Sequence, residues 1–255
     1  MGMDEMLSAV VPVIVYWVFS GFYELLSQYC VNYRLHPKGE EEERNIVPRS
    51  KVIKRMLIHH AIQILIVCLV TKAWDQNEKG AAPKVQHSLP VIAVQFVIGM
   101  VVVDTVQYFM HRYTHENKFL YKHIHSYHHA LVVPYASGAQ YVSLLDGLFD
   151  TLGGVLAFLV SGMTVRTSIY FYSFTVLKNM DLHCGLYFPW INPLQAFFPN
   201  NSAFHDSHHQ LQGQKCNFSQ PFFVSWDKIL GTYRPFTVEK RKEGGFQVRL
   251  LTKNE

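Results

Sequence analysis

Residues 104–129, DTVQYFMHRYTHENKFLYKHIHSYHH, hold six of the chain's fourteen histidines. Asp104, Tyr108, His111 and His115 follow one another at steps of four, three and four, so on a helix they share one face. His125, His128 and His129 follow at steps of three and one, which predicts three imidazoles on one side of a turn. His205, His208 and His209 repeat that spacing, and His183 stands four residues after Asn179. A structural zinc site takes four ligands and a catalytic one typically three plus water. Nine converging histidines therefore imply two metal ions. Neutral imidazole suits iron, copper, zinc and nickel alike, so the donor set speaks to the number of ions more than to their identity.

Ligand imidazoles usually donate their second N–H to a partner behind them. Asp104, two turns before His111, is expected to be such a partner, and Asp206 is placed in the same outer layer. His123 lies two residues from His125 and cannot share its helical face, so it too is expected behind the ligands. Asn179 is expected either to hold a metal-bound water or to bond the backbone. His36, His59, His60 and His87 are read as ordinary packed residues. No residue is assigned to substrate binding.

The elements that must position these groups look like membrane helices. Of 255 residues, 49% are hydrophobic and 16% charged, against roughly 25% charged in soluble domains. The net charge of +4, interleaved with acids, argues against nucleic acid. Residues 6–23 are uncharged and predict a first span, kept as an anchor because Asp4 and Glu5 stand where a secretory signal would be basic. A second span is predicted over 52–74, a short loop over 75–84, and a third span over 85–103 that delivers His111 to the membrane boundary. The runs 148–165 and 167–177, with Gly162 between them, predict a hairpin that crosses or dips in and returns. Lys and Arg between 34 and 55 mark that side as cytoplasmic. Residues 134–145 read as irregular and 183–255 as a cap of short helices. The fold class expected is all-α: an integral membrane bundle of about four to five helices with a cytoplasmic, histidine-rich di-metal cap. Residues 1–110 and 111–255 would form one functional unit. Cys30, Cys68, Cys184 and Cys216 form no CxxC pair and are expected to be free thiols.

The motifs HRYTH at 111–115, HSYHH at 125–129 and HDSHH at 205–209, with DLHCGLYFP and FHDSHHQLQGQKCNFSQPFFVSWDKILGTY, resemble the fatty acid hydroxylase superfamily of membrane di-iron enzymes, and within it the sphingoid base C4-hydroxylases. The resemblance covers residues 45–246. It implies that His111, His115, His125, His128, His129, His183, His205, His208 and His209 bind two irons, with zinc able to replace them in a purified form. It further implies O2 as oxidant, electrons from NAD(P)H through cytochrome b5 and its reductase, a sphingoid base or ceramide as substrate, and the endoplasmic reticulum membrane as location. A homo-oligomer is compatible with it. Two positions depart from the family pattern: Asn179 stands where relatives can have His, and Ser143 to Asp146 stand where many read His-Pro-x-Glu. The rival readings are a sterol C4-methyl oxidase or C5-desaturase on the same scaffold, a bis-His haem electron carrier, and a zinc transporter, whose ligands would sit at mid-membrane rather than at a boundary.

Overall fold

The computed structural model describes residues 2–77 and 85–252; most of the loop predicted over 75–84 lies outside the described residues. In chain order the helices are α1 (Met3–Tyr29), α2 (Glu40–Arg44), α3 (Arg49–Asn77), α4 (Leu89–Glu116), α5 (Lys118–His123), α6 (Leu144–Ser161), α7 (Val165–His183), α8 (Pro193–Phe197), α9 (Ser202–His209) and α10 (Ser225–Ile229). Strands β1 (Phe236–Lys240) and β2 (Phe246–Leu250) pair antiparallel, with Phe236 opposite Leu250.

Four helices, α1, α3, α4 and α6, are long and apolar enough to cross a membrane, the arrangement of a multi-pass membrane protein. Large apolar side chains remain on their outer faces, among them Ile14, Val18, Phe22, Leu65, Val94 and Val101. In water such a surface would be a liability; in lipid it is the favourable state. At about 1.5 Å per residue, the 27 residues of α1 and 28 of α4 reach about 40 Å, beyond a hydrocarbon core of about 30 Å. Each helix is therefore longer than the apolar slab, and His111 and His115 lie in the last two turns of α4.

Helices α6 and α7 form the expected hairpin. Gly162 takes the left-handed conformation that ends α6 (φ 65°), and the Thr164 hydroxyl accepts the Thr167 N–H to start α7. Helix α7 carries Arg166, Lys178 and Asp181 and is not among the four apolar spans. It packs on α1 inside the bundle, as α6 packs on α4. Lys178 and Asp181 are fully buried. The Lys178 ammonium donates to the Asn200 carbonyl (2.7 Å) and to Asp181 (3.3 Å), and Asp181 also accepts from Tyr23, Asn192 and Gln195. One buried ion pair thus ties α7 to α1 and to the cap.

A core of Tyr23, Val52, Met56, Leu131, Tyr141 and Met180 gathers the end of α1, the start of α3, the 130–141 segment and the end of α7. The 134–145 stretch is irregular as expected, apart from one short turn and the start of α6 at Leu144. The cap departs from an all-helical expectation in one respect, the β1–β2 hairpin. Two apolar/polar alternating runs, FTVEK and FQVRL, flank Gly244 and Gly245, whose φ values of 93° and 76° allow the reversal. The hairpin braces α9, since Gln210 donates to the Val248 carbonyl (2.9 Å).

Candidate metal centre

Each histidine group is positioned by a local rule. The face of α4 carrying Asp104, Tyr108, His111 and His115 is buried along its length. Asn117 then caps α5, its side chain accepting the Phe119 and Leu120 N–H groups, and the chain turns back over α4 to present His125, His128 and His129 from a 3-10 turn over 125–130. Asn201 caps α9 in the same way, accepting from Ala203 and Phe204, and α9 delivers His205, His208 and His209. His183 closes α7.

The nine imidazoles form two abutting groups. His111, His115, His125, His129 and His208 make one; His128, His183, His205 and His209 make the other, and within each the candidate donor atoms lie within 4.8 Å of one another. The tripeptide-spaced motifs are divided between them. His125 and His129 point to the first group and His128 to the second, while His208 joins the first and His205 and His209 the second. A shared side of a turn, the expectation for 125–129, does not mean a shared ion.

On four of the rings the nitrogen facing inward carries a lone pair. Nδ1 of His111 donates to the Phe218 carbonyl (2.7 Å), of His208 to Cys216 (2.8 Å), of His209 to Leu131 (3.0 Å) and of His183 to Asn179 (2.7 Å). A carbonyl oxygen only accepts, so each of these neutral rings leaves Nε2 unprotonated. Nε2 of His115, His129 and His208 form a triangle with sides of 3.0, 3.1 and 3.2 Å. Three mutually close nitrogens cannot alternate donor and acceptor, so at least one side sets like against like. In the second group the Nε2 of His205 lies 2.9 Å from that of His183 and 3.1 Å from that of His209, both lone-pair atoms. A cation among them removes the conflict. Two nitrogens bound at about 2.1 Å stand about 3.0 Å apart at a right angle and about 3.4 Å apart at the tetrahedral angle, the spacing seen here. The residues present fit two metal ions.

Electrostatics favours the same state. Burial pulls the pKa of His128, His129, His205 and His209 well below the usual imidazole value, and neighbouring rings pull in the same direction. His208 falls to about 3, burial outweighing its bond to Cys216. These rings are neutral at physiological pH, the form that binds metal.

Behind the ligands the structure redistributes the expected roles. Asp104 does not reach His111. Its carboxylate accepts the Phe222 and Phe223 N–H groups (3.0 and 2.6 Å), because the loop after α9 folds across α4 and the Phe218 carbonyl takes the His111 proton first. His123 is exposed at the end of α5 against Phe119 and touches no ligand, its ring turned away as its spacing from His125 demands. Asn179 bonds His183 through its backbone carbonyl, and its side chain lines a recess beside His128 and His183. Asp206 points away from both groups and holds His36 (2.6 Å), which also approaches Glu40. Burial opposes protonation of His36, but Asp206 and Glu40 outweigh it and raise its pKa to about 9.

Two carboxylates were missed by the sequence reasoning. Asp146 accepts the His125 Nδ1 proton at 2.7 Å. It ends the segment Ser143 to Asp146, where the family resemblance leads one to expect a carboxylate, a signal that was available. Asp227, fully buried, accepts from the Phe218 and Ser219 N–H groups and the Thr232 hydroxyl. It pins the loop whose carbonyls hold His111 and His208.

Small recesses beside both groups adjoin a larger cavity. Recesses beside His111 and His125, and beside His125, His128 and His183, share Gln107, Asp150 and Gln220. Gln107, Asp150 and Asn179 in turn line a larger cavity between α1, α3, α4, α6 and α7 whose walls include Val67, Val103, Val155, Phe171 and Val176. A largely apolar cavity among the membrane helices thus adjoins the recesses beside the imidazoles.

A profile of the fatty acid hydroxylase family matches residues 96–232, which spans all nine histidines. The chain belongs to that family. It is 54% identical to sphinganine C4-monooxygenase 1 of Arabidopsis thaliana over 96% of this chain and 94% of that protein. It is 48% identical to a protein of Oryza sativa subsp. japonica named very-long-chain aldehyde decarbonylase GL1-9, over 97% and 96%. It is 37% identical to the sphingolipid C4-hydroxylase of Saccharomyces cerevisiae, over 99% and 81%. No solved structure matches the chain. The family match places the lone-pair cages among lipid-modifying hydroxylases.

Proposed function

We propose that the protein is a monooxygenase that hydroxylates C4 of a sphingoid base, sphinganine or its N-acylated form, in the endoplasmic reticulum membrane with the histidines facing the cytoplasm. The observation that carries this reading is the pair of converging imidazole groups beside a largely apolar cavity among the membrane helices; the names of the relatives supply the substrate class. Two irons would be held, one by His111, His115, His125, His129 and His208, the other by His128, His183, His205 and His209. When bound, they supply the activation of O2 that lets an unactivated C–H bond be hydroxylated. One oxygen atom enters the C–H bond and the other leaves as water with two protons and two electrons, which NAD(P)H provides through cytochrome b5 reductase and cytochrome b5.

The chain's own residues contribute position and dryness. The apolar walls at Val67, Val103, Val155, Phe171 and Val176 accept the hydrocarbon tail and exclude water. Asp146, through His125, and the Cys216, Phe218, Leu131 and Asn179 carbonyls hold the rings in the tautomer that leaves Nε2 free. Residues 1–110 and 111–255 act as one unit, because the cavity is built from both.

Expression in cells that lack 4-hydroxylated long-chain bases tests the reading. Appearance of 4-hydroxysphinganine or its ceramide supports it. Membranes incubated in parallel with a very-long-chain aldehyde and with a methylsterol cover the activity in the rice relative's name and the sterol alternative. Conversion of only one of these, or a Soret band without non-haem metal in the purified protein, overturns it.

A further inference from the structure

A carboxylate that none of the roles above uses lines both the larger cavity and the recesses beside the imidazoles. Asp150 lies in α6, one turn beyond the Asp146 that holds His125, a rise of about 6 Å along the helix. Among the described residues it has no hydrogen-bond or ion-pair partner, and the charged group that acts on it, Asp146, is of the same sign. An unpaired carboxylate inside a membrane helix is expensive and is retained where something pairs with it. The side-chain amides of Gln107, Asn179 and Gln220 border the same neck and are likewise without partners.

We infer that Asp150 is the subsite for the protonated 2-amine of a free long-chain base, with Gln107, Asn179 and Gln220 around the adjoining hydroxyls. The inference rests on the C4-hydroxylase reading and sharpens it. The charge pattern selects among the two forms of the substrate. A free base brings an ammonium that satisfies the carboxylate, whereas an N-acylated base brings a neutral amide that leaves the charge buried and adds a second chain to the neck. Placement agrees with regiochemistry. The amine and C4 are separated by only a few bonds, and Asp150 borders the very recesses that reach His111, His125, His128 and His183. A head group held there keeps the neighbouring carbons at the imidazoles while the tail runs back along Val103, Val155 and Phe171.

The experiment uses the full-length protein in lipid vesicles with its electron-donor proteins, supplied with sphinganine or with N-acylsphinganine, for wild type, Asp150→Asn and Asp150→Glu. For wild type, the expected kcat/KM favours free sphinganine. In Asp150→Asn the KM for sphinganine rises about tenfold or more, as loss of a charge-assisted bond predicts, with kcat held within about twofold. The N-acylated substrate changes by less than about twofold in the same preparation, and Asp150→Glu recovers part of the loss. Equal metal content in all three proteins certifies the fold. An equal fall of kcat on both substrates identifies proton delivery or structural damage and overturns the inference, as does no change on either. Wild-type turnover of the N-acylated form alone overturns it while leaving C4-hydroxylation standing; failure of wild type on both substrates removes the C4-hydroxylase reading itself.

Discussion

Replacing Asp146 tests whether the two imidazole groups act as separate metal sites. Its carboxylate accepts the His125 Nδ1 proton at 2.7 Å, and both side chains are nearly buried. A hydrogen bond to a charged acceptor contributes about 1.5–3 kcal/mol, a factor of roughly ten to a hundred in an equilibrium constant. Outer partners of metal-bound imidazole cost a similar factor when removed. Asp146→Ala should therefore weaken metal binding in the group containing His125 by about tenfold to a hundredfold, and Asp146→Asn, which keeps a neutral acceptor, by less. The second group donates no hydrogen bond to Asp146 and should keep its ion. Protein purified in detergent and dialysed against graded chelator, with metal counted per chain, reads this directly. The expected titration is biphasic, one equivalent leaving early in the Ala variant. Simultaneous loss of both ions refutes the independence of the groups, and a curve superimposable on wild type refutes the role given to Asp146.

Three further outcomes follow from the same geometry. His128→Ala and His208→Ala should each abolish product while leaving membrane insertion intact, with His128→Ala emptying the group of His183, His205 and His209 and His208→Ala the other, as metal counts on washed membranes would show. Asp227→Ala removes the acceptor of two buried N–H groups and should cost about 3 kcal/mol; because the loop it pins holds both His111 and His208, metal loss should fall on the first group, and a lower thermal midpoint without such bias would contradict the assignment. Asp181→Ala leaves the buried Lys178 ammonium without its anion and should lower stability by about 3–5 kcal/mol, measurable by thermal unfolding in detergent; substitution of both residues by apolar ones should recover much of it.

Spacing along the chain was enough to place much of this protein. The apolar runs at 6–23, 52–74 and 85–103, the Gly162 break and the HxxxH and HxxHH patterns all report local physics: helix period, helix length against membrane thickness, and a glycine at a helix end. The families of side chains at 111–115, 125–129 and 205–209 could be named as donors for that reason. Local periodicity could not say which donors share an ion, because a three-residue and a four-residue step leave neighbouring rings on slightly different bearings, and those bearings acquire meaning only against elements packed opposite. His128 parts from His125 and His129 because α7 and α9 bring His183, His205 and His209 to its side. Apart from Asp146, the outer partners were also beyond reach. His111 found the Phe218 carbonyl, over a hundred residues away, before it could find Asp104 on its own helix, and Asp206 was drawn to His36. The amino acids thus determined what chemistry was available and which helices are apolar enough to span a membrane; the long-range folding of the cap onto α4 and α7 decided how nine donors divide in two, and that Asp150 borders their recesses without a partner.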